Sequence, residues 1–531
     1  MSFRLLRGES AATDAPASDR PVLAVPGLTG SREAIEERVL RQGRCVTRLS
    51  YDRVEGRYLY EVFEPELSPS ETSILAFLRD GLLRSLATRP EDGHGVEEVL
   101  LARATDLMRD HDVRLDPGGR ERVLYYVVRD FAGYGRIDPL MSDPNIEDIS
   151  CDGPGIPVFL FHRKHEAMRT TIVFADASEL DAFVLLLAQR AGKHVSVAKP
   201  LLDATLPDKS RLQTTFGGEV TPRGSSFTIR KFRTDPITPP LLVKLGTMDA
   251  EMAAWFWLAI EHGQSALVVG GTASGKTTTL NACSLFIPGE RKIVSIEDTR
   301  ELNLPHDNWI SGVTRGAGAQ VAALKAEGDV DMYDLLAAAL RQRPEYLLVG
   351  EVRGREAMTL FQAMATGHAT FSTMHADSVA GAIHRLENEP ILVPRVMLEN
   401  LRAMAIQAQV RVGGKLVRRV REVSEIKGID MAVGEIVTNT VFRWDPATDS
   451  FRFSPRSYVL DAIGERLQMT QTRMREELAR RADVVRWMVH TGVLNYVDVA
   501  KVVQRYTREP DELVARARRE TPVVSIARVG G

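Results

Sequence analysis

Cysteine is scarce in this chain of 531 residues. Cys45, Cys151 and Cys283 lie far apart and make no CxxC pair, so neither a zinc site nor a disulfide framework is implied. That usage fits a reducing cytoplasm. Strong charge of either sign is missing as well. The formal net charge is -3, which argues against a strongly basic nucleic-acid binder. Long hydrophobic runs are also missing. Stretches such as Met252–Ile260 fall short of the roughly 20 apolar residues needed to span a bilayer. Met1–Arg7 is broken by charge and followed by no apolar core or cleavage pattern, so no signal peptide is expected. The chain reads as soluble and cytoplasmic, reaching any membrane through a partner or a surface contact. It shows no internal repeat.

What is present suggests several domains, since the length exceeds that of one ordinary domain and 44% of residues are hydrophobic. Gly8–Gly30, rich in Ala, Pro, Ser, Asp and Gly, has no apolar period, and residues 1–45 read as a flexible leader. Residues 46–135 read as a strand and helical domain. Arg57–Phe63 suits a strand, while Ile74, Leu75, Leu78 and Leu82 share a helix face behind Ser70 as N-cap. Residues 136–233 read as an α+β domain with a helix at Ala177–Ala191 and a strand at Phe227–Phe232. Three prolines in Thr234–Pro240 mark a linker. Residues 241–460 alternate between strand and helix patterns, the signature of a parallel α/β sheet. From 461 to 531 the chain is helical and charged, with Met469–Met488 and Val497–Tyr506 as surface amphipathic helices.

Inside the α/β segment, Leu267–Val269 is a short β-type run. It leads into Gly270, Gly271, Thr272, Ala273, Ser274, Gly275, Lys276 and Thr277, a full GxxxxGK[ST] phosphate loop, and then into a helix from Thr278 to Leu285. Glycines let the backbone N–H groups turn toward phosphates, and the helix N-terminus adds partial positive charge. Lys276 is expected to reach the β- and γ-phosphates and Thr277 to ligate magnesium.

Three further strands carry chemistry at their ends. Tyr346–Val349 runs into Gly350 and Glu351, an acid placed to orient or deprotonate water. Lys292–Ile296 runs into Glu297 and Asp298, which suit the positioning of water or the holding of magnesium directly or through water. Ala369–Met374 is followed by His375, with Asp377 or Ser378 capping the next helix through Leu386. His368 precedes that strand, so at about 3.3 Å per residue the two histidines stand roughly 20 Å or more apart. In open α/β sheets ligands bind outside the carboxyl ends of the strands, and all four signals fall there. The basic run Arg411–Arg421, with Val417 and Val420 interleaved, fits a half-exposed strand or hairpin about as well as a membrane or nucleic-acid patch.

The succession of phosphate loop, Ile-Glu-Asp-Thr-Arg-Glu box (296–301), Leu-Leu-Val-Gly-Glu-Val-Arg (347–353) and Thr-Gly-His-x6-His-Ala (366–376) closely resembles the secretion ATPase superfamily. That superfamily contains bacterial type II and type IV secretion ATPases, pilus assembly and retraction motors, and the archaellum motor. Gly133–Leu140, Ile146–Ile149, His162-Arg163, Thr205–Arg211 and Arg223–Phe232 look like its archaeal branch, as does the lack of a tetracysteine insertion. The resemblance implies a C-terminal RecA-like ATPase domain preceded by a mixed α+β domain and a helical N-terminal region. It implies a homohexamer using ATP and Mg²⁺, acting at the inner face of the membrane through a polytopic platform protein on pilin-like or secreted subunits. No nucleic acid is expected as partner, because no stacking aromatics accompany the basic residues. Arg211, Arg223 and Arg230 match positions where arginines of the N-terminal domain approach the nucleotide, although strand-edge ion pairs explain each about equally well. Arg353 and Arg385 are weaker candidates. The expected catalytic set is therefore Glu351, Glu297, His375, Arg211 and Arg230. Residues 270–278 and Arg223 would hold the nucleotide, and Thr277 and Asp298 the metal.

Overall fold

The computed structural model describes residues 26–28, 31–85, 95–233, 235–315, 329–430, 432–454 and 456–521. The chain divides into two units, Met1–Phe232 and Arg233–Gly531.

The first unit opens with strands β1 (Arg32–Leu40), β2 (Cys45–Asp52) and β3 (Arg57–Phe63). Helices α1 (Pro69–Ser85), α2 (Val96–Asp110), α3 (Pro117–Phe131) and α4 (Asp138–Ser142) follow. Then come β4 (Ile146–Cys151), β5 (Pro157–His162), β6 (Glu166–Val173), α5 (Ala177–Arg190), β7 (Leu201–Thr205), β8 (Arg211–Thr215) and β9 (Ser226–Arg230). The described strands form one sheet ordered β1-β2-β3-β6-β5-β4-β9-β8-β7.

Three expectations are corrected here. The leader does not extend to residue 45, because β1 pairs antiparallel with β2 along its whole length. Its sequence is mostly charged and carries no apolar period; cross-strand ion pairs such as Arg48 Nε with Glu37 at 2.6 Å accompany the pairing. Residues 46–135 and 136–233 are not separate domains, since β3 and β6 pair in parallel through Leu59 with Arg169 and Tyr60 with Thr170. Ser70 lies inside α1. The cap is Ser68, whose Oγ accepts from Glu71 N at 3.3 Å while Ser68 N donates to the Glu71 carboxylate at 2.8 Å. Pro69 occupies the first turn, where its missing N–H is harmless. The buried face of α1 packs with α2 and α3 into a small core of its own through Leu78, Leu82, Leu100, Ala104 and Val123.

The second unit begins with α6 (Pro239–Lys244), so the last two residues of the expected linker already start a helix. Thr234 lies outside the described residues. The unit continues through α7 (Ala250–Glu261), β10 (Ala266–Gly270), α8 (Lys276–Ser284), β11 (Ile293–Glu297) and β12 (Trp309–Val313). Next are α9 (Met332–Arg341), β13 (Tyr346–Val349), α10 (Glu356–Ala365), β14 (Ala369–Met374) and α11 (Val379–Glu387). The last described elements are β15 (Ala403–Val412), β16 (Lys415–Asp430), β17 (Glu435–Asp445), β18 (Ser450–Phe453), α12 (Tyr458–Leu467), α13 (Gln471–Thr491), α14 (Tyr496–Arg508) and α15 (Pro510–Glu520).

Its sheet runs β12-β11-β13-β14-β10-β15-β16-β17-β18, parallel from β12 to β15 and antiparallel beyond. Successive residues of a strand face opposite sides, and here both sides are buried. Ala266, Val268, Ile293, Tyr346 and Leu348 join a core with α7, α8 and the C-terminal helices. Leu267, Val269, Val294, Ile296, Leu347 and Val349 join another with α9, α10 and α11. This is the α/β architecture expected from the alternating pattern. The C-terminal helices belong to this body: Met474, Leu478, Val485 and Trp487 of α13 are buried against it. Arg411–Arg421 falls in the β15–β16 hairpin, turned at Gly413 and Gly414.

Trp257 of α7 is where that attachment concentrates. It stacks on Phe286 with centroids 5.2 Å apart and meets the Tyr506 ring of α14 at 4.9 Å. The Arg481 guanidinium of α13 lies over it at 5.5 Å. Trp257→Ala should therefore cost about 3–5 kcal/mol in urea unfolding of the second unit. A loss below 1 kcal/mol would mean that α13 and α14 dock independently of this residue.

Candidate functional site

The four inner parallel strands fix where chemistry can occur. β10, β11, β13 and β14 carry one charged side chain between them, Glu297, and it is the last residue of its strand. Register aligns their carboxyl ends: Val269 lies beside Met374, Val349 beside Ser372 and Ile296 beside Val349. The residues that follow those positions are thereby delivered to one edge of the sheet.

The phosphate loop leaves that edge between β10 and α8. Gly270 has no room for a side chain, because a Cβ there would stand 2.3 Å from the Gln407 carbonyl oxygen. Gly275 adopts φ +95 and caps α8, a left-handed conformation that favours glycine. Ala273 is also left-handed at φ 58. The Lys276 ammonium is largely buried and donates to the Gly271 carbonyl at 2.9 Å. Burial holds its pKa below the ordinary lysine value. Thr277 and Thr278 sit half-buried in the first turn of α8.

Beside the loop stands a chain of titratable groups. His375 Nδ1 lies 3.5 Å from Lys276 Nζ, and His375 Nε2 lies 3.3 Å from Glu351 Oε1. Burial, followed by the Lys276 charge, lowers the His375 pKa, so the imidazole is neutral near pH 7. Glu351 Oε1 is buried with no aligned hydrogen bond; the His375 contact is close but not directed along one. Arg353 joins Glu351 at 3.5 Å to Asp298, with which it makes a short ion pair. Arg385 donates to the His375 carbonyl at 2.9 Å.

Glu297 is almost wholly buried. One carboxylate oxygen accepts from Glu301 N and Leu302 N, each at 2.9 Å, and the other is buried without a partner. Desolvation raises its pKa to about 7 despite those two donors. A carboxylate with one free, buried oxygen and a pKa near neutrality is suited to exchanging a proton with water.

The expected site residues thus divide. Lys276, Thr277, Thr278, Glu297, Asp298, Glu351 and His375 stand at the carboxyl edge of the second sheet. Asp298 is held by Arg353, so it must change partner to reach a metal. His368 stands at the opposite end of β14 and bonds Thr366 Oγ1 and the Ala363 carbonyl. Arg211, Arg223 and Arg230 belong to the first unit. Arg211 pairs with Asp203 at 2.6 Å and Arg230 with Asp148 at 3.1 Å, both across neighbouring strands.

Two residues escaped the sequence reading. Gln407 of β15 lies against the loop, with its Oε1 buried and unpartnered. Arg418 of β16 donates from Nε to the Ala273 carbonyl at 3.0 Å. Arg418 was visible only as part of a basic run, and Gln407 gave no signal.

These features fit a nucleotide with magnesium. The loop amides and Lys276 would cradle phosphates, and Thr277 with one acid would complete a metal shell otherwise made of phosphate and water oxygens. Among the described residues no cluster of three or more His, Cys, Asp and Glu side chains could hold a metal ion by itself.

The sequence model of the family described as "Type II/IV secretion system protein" matches residues 138–440. Uncharacterized protein MJ0900 of Methanocaldococcus jannaschii is 40% identical over 398 residues, 74% of this chain and 71% of that protein. Type IV secretion system protein PtlH of Bordetella pertussis is 31% identical over 323 residues, 54% of this chain and 92% of that protein. The VirB11 ATPase of the Brucella suis type IV secretion system, crystallised with sulphate, aligns at 24% identity and a TM-score of 0.27. It covers 54% of this chain and 90% of that one.

The environment of Glu297 gives a prediction with a definite sign. Its folded pKa of about 7 stands above the ordinary 4.5, so ionising it costs stability as pH rises between those values. Glu297→Gln should leave stability unchanged at pH 4.5 and raise it by about 1–3 kcal/mol at pH 8 in urea titrations. Equal effects at both pH values would show that the carboxylate is not desolvated.

Proposed function

The chain belongs to the type II/IV secretion system protein family, and from that premise we propose that it is an ATP-hydrolysing motor that drives pilus-like assembly or protein secretion. The observation that carries the reading is the continuous line Lys276–His375–Glu351 beside a complete phosphate loop. A non-enzymatic nucleotide scaffold has no need of a buried, unpartnered oxygen on Glu297 or of a buried Glu351 oxygen met only by His375. Bound magnesium-ATP supplies the phosphoryl group to be transferred and neutralises the charge on its oxygens.

The protein's own groups do the rest. Lys276 leaves the Gly271 carbonyl for the phosphates. Glu351 and Glu297 orient the attacking water and accept its proton. Neutral His375 links the lysine to the acid and reports on the γ-phosphate position. Arg353 pairs with Glu351 and Asp298, and Asp298 would have to leave it to hold magnesium.

We further propose a six-membered ring in which Arg211 or Arg230 acts on a neighbouring subunit's nucleotide. Both arginines are exposed, and surface ion pairs of this kind are weak enough to exchange for phosphate. Among the described residues no helix is long and apolar enough to cross a membrane. From the family membership we propose docking on a polytopic platform protein from the cytoplasmic side. The archaeal relative MJ0900 supports placement in the archaeal branch.

Phosphate release by the purified chain tests the chemistry. Lys276→Ala should abolish nucleotide binding, whereas Glu351→Gln should keep binding and slow hydrolysis by roughly 10²–10⁴-fold. Normal turnover by the glutamate variant would overturn the assignment. Stimulation of hydrolysis by DNA or RNA would favour a nucleic-acid translocase instead. Replacing Arg211 or Arg230 at matched assembly, checked by light scattering with ATP present, should cut turnover by up to roughly 10³–10⁵-fold if either acts in trans. Undiminished rates in both variants would remove them from the site.

A further inference from the structure

The β15–β16 hairpin touches the phosphate loop at two points. At the base of the loop, β15 pairs in parallel with β10, setting Gln407 beside Gly270. At the apex, Arg418 crosses from β16 to the Ala273 carbonyl. The two contacts come from paired strands, and a register shift between Ile406 and Gln407 lies where β15 runs past the end of β10. Gly275 is closed in by both: a Cβ there would meet Gln407 Nε2 at 3.0 Å and Arg418 Cδ at 3.1 Å.

The carbonyls of the loop explain what this contact does. For the loop amides to face phosphates, its carbonyls must turn outward and find donors. The Gly271 carbonyl takes the Ser274 hydroxyl and the Lys276 ammonium, both at 2.9 Å. Lys276 must leave that position to meet a phosphate. The Ala273 carbonyl, projected by a left-handed residue that carries a Cβ, has Arg418 as its side-chain donor. A left-handed alanine is unfavourable unless its surroundings hold it, and a charged donor on its carbonyl is such a hold. Resting on the reading of this loop as an ATP site, the geometry points to Arg418 as a positioning residue. It holds the loop apex in the nucleotide-binding conformation before nucleotide arrives, with Gln407 as the fixed wall behind it.

Nucleotide binding, steady-state hydrolysis and amide hydrogen exchange of the full chain test this together. Arg418→Ala should raise KM for ATP about tenfold while changing kcat by no more than about twofold. Exchange across residues 271–276 should quicken in the nucleotide-free variant and return to the wild-type rate at saturating ATP. Arg418→Lys, which keeps a charged donor, should recover most of the affinity. Unchanged affinity and exchange in Arg418→Ala would overturn the inference. So would a fall in kcat at constant KM, which would put Arg418 in the chemistry instead. Lys276→Ala run alongside separates the two claims. If it binds ATP normally, the reading of the site fails; if it loses ATP while Arg418→Ala does not, only the role of Arg418 fails.

Discussion

Burial of the second sheet on both faces is the constraint from which the site follows. Helices cover each side of β10, β11, β13 and β14, so their side chains are apolar or small on both faces. An unpaired charge inside such a layer would cost several kcal/mol. Charge is therefore confined to the strand ends, and parallel pairing puts four carboxyl ends on one edge. The concentration of Lys276, Glu297, Glu351 and His375 there is a product of packing as much as of chemistry.

At that edge the groups are desolvated without being fully paired, and this sets their electrostatics. Burial pushes Glu297 up and Lys276 and His375 down, in each case toward the neutral form. Arg353 is the counterweight, joining Asp298 and Glu351 from an exposed position. Exposed partners exchange readily and buried ones do not. The site thus combines a fixed acid, Glu297, with an exposed cation, Arg353, that can change partner.

The first unit is built on a different balance. Its sheet gathers nine described strands around a core of Ile149, Val158, Leu160, Phe227 and Ile229, yet its outer strands carry many charges. Cross-strand ion pairs of Arg48 and Arg211 lie toward the two edges, and that of Arg230 joins β9 to β4 within the sheet. Each is worth little where exposed.

Local signals in the sequence were enough for the phosphate loop, the strands at Tyr346–Val349 and Ala369–Met374, the acids at 297 and 351, and the place of His375. All of these depend on contiguous residues: a glycine-spaced loop, a short apolar run, an acid just beyond it. The same kind of reading placed Ser70 as a cap two residues from Ser68, because serines at both positions offer the same hydroxyl and only the start of the helix chooses between them. Tertiary structure decided the rest. β1 has no apolar period of its own and exists through pairing with β2, which sequence spacing does not reveal. One sheet unites residues 46–135 with 136–233 because β3 meets β6 across more than a hundred residues. Arg418 and Gln407 reach the phosphate loop only because the hairpin folds back beside β10. Contacts between residues far apart in sequence leave no periodicity, and it is those contacts, not the motif, that set the partners, desolvation and pKa of each group at the site.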